Sequence, residues 1–316
     1  MDGVPSDTKT NLGWENVGLG LAFIIFDAGL SFTLNLGVGG SLVTAAVRCI
    51  IQLAVVATIL QKVFATDNIW AVAGIVVLLN VMGTFETGIK IWRFPAVLFA
   101  MLFSTIPTSI LGVHFAMGIR PFWRPEQYIP IVGMLCGSTI SGVAVSVDYV
   151  LKELDENRDK TETYLAFGAS RMEACKPIAR EALRLALTPT INQMSVLGII
   201  AIPGMMTGAI LGGSSVQQAA KLQMVIMFMI SSSSALSCII TTIFALLVSV
   251  DGEHRIRSDR IDCRRHWVWR TQDKLIASMV RGLTTSARKM GAVVLGKSKS
   301  GPARLQGVTA QLTPLI

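Results

Sequence analysis

Apolar residues in this chain run in long blocks instead of alternating, and short polar stretches separate the blocks. Seven blocks stand out, at 17–36, 41–64, 69–88, 94–118, 128–150, 186–211 and 222–249. Each is near the roughly 20 residues that an α-helix needs to cross a bilayer. The pattern predicts an all-α, polytopic transmembrane helix bundle of about seven spans. Between the fifth and sixth blocks the pattern changes. Residues 151–185 carry seven Lys/Arg and seven Asp/Glu at helical spacing. That composition predicts a neutral, densely charged helical hairpin, held between two membrane segments and suited to dock a partner.

Composition agrees with a membrane protein. The mean hydropathy is +0.57 and only 15% of residues are charged, against about 25% in soluble domains. The opening MDGVPSDTKT has no basic n-region, so no cleaved signal peptide is expected. The net charge of +8 lies entirely in residues 251–316, which hold 13 Lys/Arg and 5 Asp/Glu. A basic tail that follows a membrane span meets anionic lipid first, so no nucleic-acid partner is expected. The expected organisation is an extracytosolic N-terminus (1–16), a permease domain (17–250) containing the hairpin, and a basic cytosolic tail (251–316).

Orientation follows from positive charge. With seven spans, the hairpin, the tail, Lys90 and Arg93 share one side and contribute 22 positive residues. The other side receives five: Lys9, Lys62, Arg120, Arg124 and Lys221. The N-terminus is therefore expected outside, with the hairpin and C-terminus in the cytosol. Five cysteines (49, 136, 175, 238, 263) lack CxxC spacing and read as packing residues.

Polar residues inside apolar blocks are candidates for function, because they are costly in lipid. Asp27 is compatible with a functional carboxylate, a packed or water-lined interface, or an offset span. Gln52 lies four residues after Arg48 on one helical face. It suits either a lining position or an interhelical hydrogen bond. His114 stands alone and reads as a hydrogen-bonded core or interface residue. Small residues in the fifth block (Gly133, Gly137, Ser138, Ser141, Gly142) predict close helix contact, including contact between two copies of the chain.

The sixth block is the most interrupted. Pro189 and Pro203 remove backbone donors, and glycines loosen the stretch. Interrupted spans mark binding sites and gates. Asn192, Gln193, Pro203, Gly204, Met205 and Met206, together with Gln52, are therefore the candidate pathway and gate. The methionines of this region read as unbranched filler in a mobile interface rather than as metal ligands. No metal site and no catalytic residue are assigned.

Residues 291–298 satisfy G-x-x-x-x-G-K-[ST]. A P-loop requires a strand before the glycine-rich turn and a helix after it. Here a helical pattern precedes the match and Gly301-Pro302 closely follows it. The match reads as coincidence, so neither enzymatic activity nor a bound cofactor is expected of this chain. In the tail, Trp267 and Trp269 among Arg264, Arg265 and Arg270 suit either a helix in the headgroup layer or a disordered basic segment.

Within the hairpin, Glu162 stands six residues before Gly168, and Ile178 ten residues after it. The spacing resembles the EAA loop of ABC-transporter permeases, although Thr163 and Tyr164 replace its two alanines. The stretch from Leu187 to Ser237, with IPIVGMLCGS before it, is similar to the permease family typified by the bacterial iron exporter FetB, which includes plant aluminium-tolerance half-transporters. The resemblance spans about 40–250. It departs from the family at Ser138, where Asn is usual, and in its long tail. It implies a homodimerising membrane subunit that works with a separate ATP-binding cassette subunit, which holds the ATP. Glu162, Gly168, Arg171 and Ile178 would then couple to the ATPase. The cargo would be a metal ion or chelate, or a small anionic solute such as a sugar nucleotide. The rival readings are a secondary transporter or channel, with Asp27 as its coupling carboxylate, and a non-transporting scaffold.

Overall fold

A computed structural model describes residues 13–34, 36–64, 68–87 and 94–250. Among them the chain is helical: α1 (Trp14–Thr33), α2 (Gly39–Phe64), α3 (Ile69–Glu86), α4 (Phe94–Leu111), α5 (Pro125–Glu156), α6 (Arg158–Ala166), α7 (Arg171–Val196), α8 (Gly204–Leu211) and α9 (Val216–Ser249). A π-helical turn, Gly112–Ala116, extends α4. The basic tail, the 291–298 match, Cys263, Lys9, Lys90 and Arg93 lie outside the described residues.

Five helices are long and apolar enough to cross a membrane: α2, α3, α4 with its π turn, α5 and α9. They correspond to the second, third, fourth, fifth and seventh expected spans. The first expected span is α1, which contains Asp27 in an exposed position. The sixth expected span, 186–211, is not one helix. Pro189 sits inside α7 without ending it. The break comes later, at 197–203, where Gly198 takes a φ of +86° and its N–H donates to Ala201 O at 3.1 Å. Pro203 then caps the start of α8. Of the two prolines expected to interrupt the segment, only Pro203 lies at the interruption.

The described residues fall into two compact units, with the boundary inside α2 between Cys49 and Ile50. In the first unit, α1 turns into α2 through buried Ser31, whose Oγ accepts the Val38 N–H at 3.2 Å. Gly39 allows the helices to meet, since a Cβ there would lie 2.8 Å from Ala28 O.

The second unit is built on α5 and α9, of 32 and 34 residues. At 1.5 Å per residue each is about 50 Å long, longer than the roughly 30 Å hydrocarbon layer. Both therefore carry their packing beyond the layer. α4 and α7 flank this pair, and α3 packs on α4 and α5. Buried polar side chains tie the helices together. Thr105 Oγ1 lies 2.9 Å from Asn80 Oδ1, between α4 and α3. The Ser109 and Tyr128 hydroxyls, 2.9 Å apart, join α4 to α5. Such interhelical bonds add about 0.6 kcal/mol each on average in a membrane.

Two of the core's apolar clusters mark the ends of the α5–α9 pair. The hairpin-distal cluster contains Ile131, Leu135, Cys136, Ile226, Met227 and Met229. The hairpin-proximal cluster joins Val150 and Leu154 of α5, Ala245 and Leu246 of α9, and residues of α6 and α7.

Candidate functional site

The charged stretch between the fifth and sixth blocks is a helical hairpin, α6–turn–α7, standing on the end of α5. Its turn is fixed by backbone chemistry. Gly168 has φ +89°, the left-handed conformation that favours glycine at a helix C-terminus. The Gly168 N–H donates to Leu165 O and the Ala169 N–H to Tyr164 O, both at 3.1 Å. Together these bonds form a Schellman motif that closes α6.

Two residues later a capping box opens α7. The Ser170 hydroxyl and N–H donate to Glu173 Oε2 at 2.7 and 2.9 Å. The Glu173 N–H returns to Ser170 Oγ at 3.4 Å. Both ends of the turn are therefore satisfied without a partner, and the turn is preorganised.

Replacing Ser170 with alanine should cost about 1 kcal/mol of local helix stability, read as faster amide exchange over the first turn of α7. The same cap is pH-sensitive. Ser170's donated hydrogen bonds hold the Glu173 carboxyl below its ordinary value of 4.5. A depressed carboxylate contributes stability that is complete above its unfolded pKa. The contribution is lost as pH falls through the lowered folded value. Amide protection at the turn should therefore hold at neutral pH and decline only well into the acid range. Protection that falls between pH 7 and 6 would contradict this assignment.

The hairpin is rooted by burial. Leu165, Ala174, Cys175, Ile178 and Ala182 pack with Val150, Leu154, Ala245, Leu246 and Val250 at the ends of α5 and α9. The root is dry enough that burial pushes the Cys175 thiol up to about 11. At the tip the reverse holds. Phe167 is 87% exposed beside Gly168, with Tyr164 and Met172 also exposed. A cleft of about 210 Å³ lies between the end of α5 and the two hairpin helices, lined by residues including Tyr149, Glu153, Lys160, Tyr164, Ala174 and Ile178. That volume falls below the 300–1,000 Å³ of ordinary ligand pockets. The hairpin thus offers an apolar knob on a rigid, rooted support.

The four residues singled out for coupling have different places in this element. Gly168 makes the turn. Glu162 is half-exposed and its Oε1 is 2.7 Å from Arg158 Nε, within α6. Arg171, half-buried, is the first residue of α7. Ile178 is 9% exposed, packs in the root and also lines the cleft. Phe167 was not anticipated from sequence. The capping box was legible as Ser170-x-x-Glu173.

The candidate gate residues divide similarly. Asn192 and Gln193 are exposed near the end of α7. Pro203 and Gly204 begin α8, and Met206 is half-buried. Met205 packs with Met194 and Leu197 against the hairpin-distal core. Gln52 is exposed on α2. Around the break, Ile199, Ile200 and Ile202 are 85%, 81% and 72% exposed, an apolar surface suited to lipid or to another membrane chain. His114 lies in the π turn, edge-on to Phe115 and Phe122. Its buried Nδ1 has no hydrogen-bond partner among the described residues.

Residues 14–247 match a family described as Uncharacterised protein family (UPF0014). A UPF0014 membrane protein of Synechocystis sp. is 31% identical over 236 residues, covering 73% of this chain and 91% of that protein. Protein ALUMINUM SENSITIVE 3 of Arabidopsis thaliana is 27% identical across 70% of this chain and 82% of its own length. The probable iron export permease protein FetB of Escherichia coli is 26% identical across 78% and 95%. No solved structure matches the chain.

Proposed function

The chain belongs to the UPF0014 family, as an integral, multi-pass membrane protein, and from that premise we propose that it is the permease subunit of an ABC-type transporter driven by a separate ATPase. The observation that carries this reading is the exposed Phe167 on a capped turn whose base is buried between the ends of α5 and α9. A large aromatic left in solvent on a rigid element is an interface anchor. A rooted hairpin transmits displacement because packed interiors deform little.

In this reading the chain has about seven spans, with its N-terminus outside and the hairpin and basic tail in the cytosol. Phe167 enters a groove of the ATPase, and the cleft between α5 and the hairpin receives a side chain in return. Nucleotide-driven closure of the ATPase pushes the hairpin, and the break at 197–203 rearranges as the gate. ATP stays on the partner, and this chain contributes no catalytic residue. Two copies pair, and Gly133 and Gly137 support this, since an added Cβ at either would meet no atom within 4 Å. The tail binds anionic lipid. The names of two relatives, an iron export permease and an aluminium-sensitivity protein, favour a metal ion or its chelate as cargo over another small anionic solute.

The test is gentle-detergent purification of the tagged chain with mass spectrometry of what accompanies it. A stoichiometric ATP-binding cassette protein, lost when 160–180 are deleted, is the expected result. Gly168→Val provides the finer measurement. A β-branched residue disfavours φ +89° by a few kcal/mol, whereas an added Cβ there meets nothing within 4 Å. Membrane insertion should be unchanged and transport-coupled ATP hydrolysis should fall at least tenfold. A partner-free oligomer that still moves solute would replace this reading with a secondary transporter and make Asp27 the next residue to test.

A further inference from the structure

The α5–α9 seam changes chemistry halfway along its length. In its hairpin-distal half it is closed by Ile131, Leu135, Cys136, Ile226, Met227 and Met229. From Ser233 to Ser249 α9 brings six hydroxyls into it, those of Ser233, Ser234, Ser237, Thr241, Thr242 and Ser249, all at most 2% exposed, interspersed with the buried Cys238, Ala245 and Leu246. α5 adds Thr139, whose hydroxyl is 3.4 Å from Ser233 Oγ, and Ser146, which donates to Val143 O. Among the described residues the hydroxyls of Ser237, Thr242 and Ser249 have no hydrogen-bond partner, whereas the Ser234 hydroxyl bonds to the Cys238 thiol.

A buried hydroxyl without a partner costs free energy that alanine in its place would not. If the seam needed only close packing, alanine and glycine would serve, as glycine does at position 142. Three unpartnered hydroxyls on one helix therefore point to a state in which something else satisfies them. The row begins where the apolar half ends and finishes beside Leu246 and Val250 in the hairpin root.

We propose that the hairpin-proximal half of the α5–α9 seam is a polar half-channel, closed in this structure and hydrated when the hairpin moves. Its cargo is a hydrophilic solute that exchanges bound water for neutral hydroxyl oxygens, and the apolar half is its far seal. The drive from the hairpin rests on the ABC reading above, whereas the polarity of the seam does not.

Two native thiols report on the two halves. Cys238 sits among the hydroxyls at 0% exposure and Cys136 in the apolar half at 3%. The full-length chain in membranes is treated with a cationic, membrane-impermeant methanethiosulfonate, and modification is mapped by mass spectrometry. Cys238 should react at least tenfold faster than Cys136. The Ser237→Ala/Thr242→Val pair should slow Cys238 at least threefold while leaving the melting temperature unchanged or higher. Neither hydroxyl bonds to the thiol, so that combination would arise neither from lost packing nor from a changed thiol. Equal, slow modification of both thiols in the unaltered chain would overturn the half-channel. Fast modification of Cys238 in a chain that recruits no ATPase would support the half-channel and remove only its proposed drive.

Discussion

Phe167→Ala should weaken association with the proposed ATPase partner about 30-fold or more while leaving the membrane protein's own stability within about 0.5 kcal/mol of the original. The two halves of that expectation come from the same number. At 87% exposure Phe167 contributes almost nothing to the fold, so its truncation opens no cavity. Aromatic anchors at the centre of an interface commonly cost 2 kcal/mol or more when truncated, which is about a 30-fold loss of affinity or greater. Titration of the ATPase onto the solubilised chain, alongside thermal denaturation of the chain alone, measures both halves. Phe167→Leu should recover part of the affinity, because the knob is apolar before it is aromatic. Unchanged affinity in Phe167→Ala would move the docking face away from the turn.

Gly142→Val should destabilise the α5–α9 pair by about 1–3 kcal/mol, the usual cost of forcing extra volume into a packed core. A Cβ at position 142 would lie 2.8 Å from Cys238 Sγ and 3.0 Å from Ser234 Oγ. Both are short side chains with no flexible end to swing aside, so the helices themselves must separate. Gly137→Ala, compared with Gly142→Ala on the monomer in detergent, is the internal control, since a Cβ at 137 meets nothing within 4 Å. Thermal denaturation should therefore separate two glycines only five residues apart on one helix. The Gly142→Ala/Cys238→Gly double variant should be more stable than Gly142→Ala alone, because the second change returns the space. Equal melting temperatures for Gly142→Ala and Gly137→Ala would show that the helices are not in contact at Gly142.

Hydropathy located most of the bundle because crossing a bilayer demands apolar length, and apolar length is written directly in the residues. It missed where helices continue outside lipid. α9 was expected from 222 but begins at Val216, six residues earlier. Val216–Lys221 is polar enough to leave the apolar window and remains helical because Ser215 caps it. An average over the sixth block also could not locate its break. Proline alone is an uncertain mark, since Pro177 and Pro189 both lie inside α7. A left-handed glycine followed by a proline N-cap is the more specific one. In the hairpin, the density of opposite charges was legible as (i, i+4) pairs, such as Lys152–Glu156 and Arg158–Glu162. The exposed Phe167 was not, because a single aromatic between Ala166 and Gly168 has no periodicity to report it. Burial places Ile178 in the root, where it also lines the cleft. The hydroxyls of α9 are visible in the sequence, but only the packing of α5 against α9 shows that Ser237, Thr242 and Ser249 are buried without a partner among the described residues.

The divided sixth segment also bears on how the protein is made. α8 has eight residues, about 12 Å of helix, and the apolar end of α7 is similarly short. Neither reaches across a hydrocarbon layer of about 30 Å, so neither can be released into lipid as an independent span during synthesis. α8 is joined to α9 through Gly212–Ser215 and packs on it. The translocation machinery must therefore hold this stretch until α9 has emerged and deliver the two together, after α5 is in place to receive them.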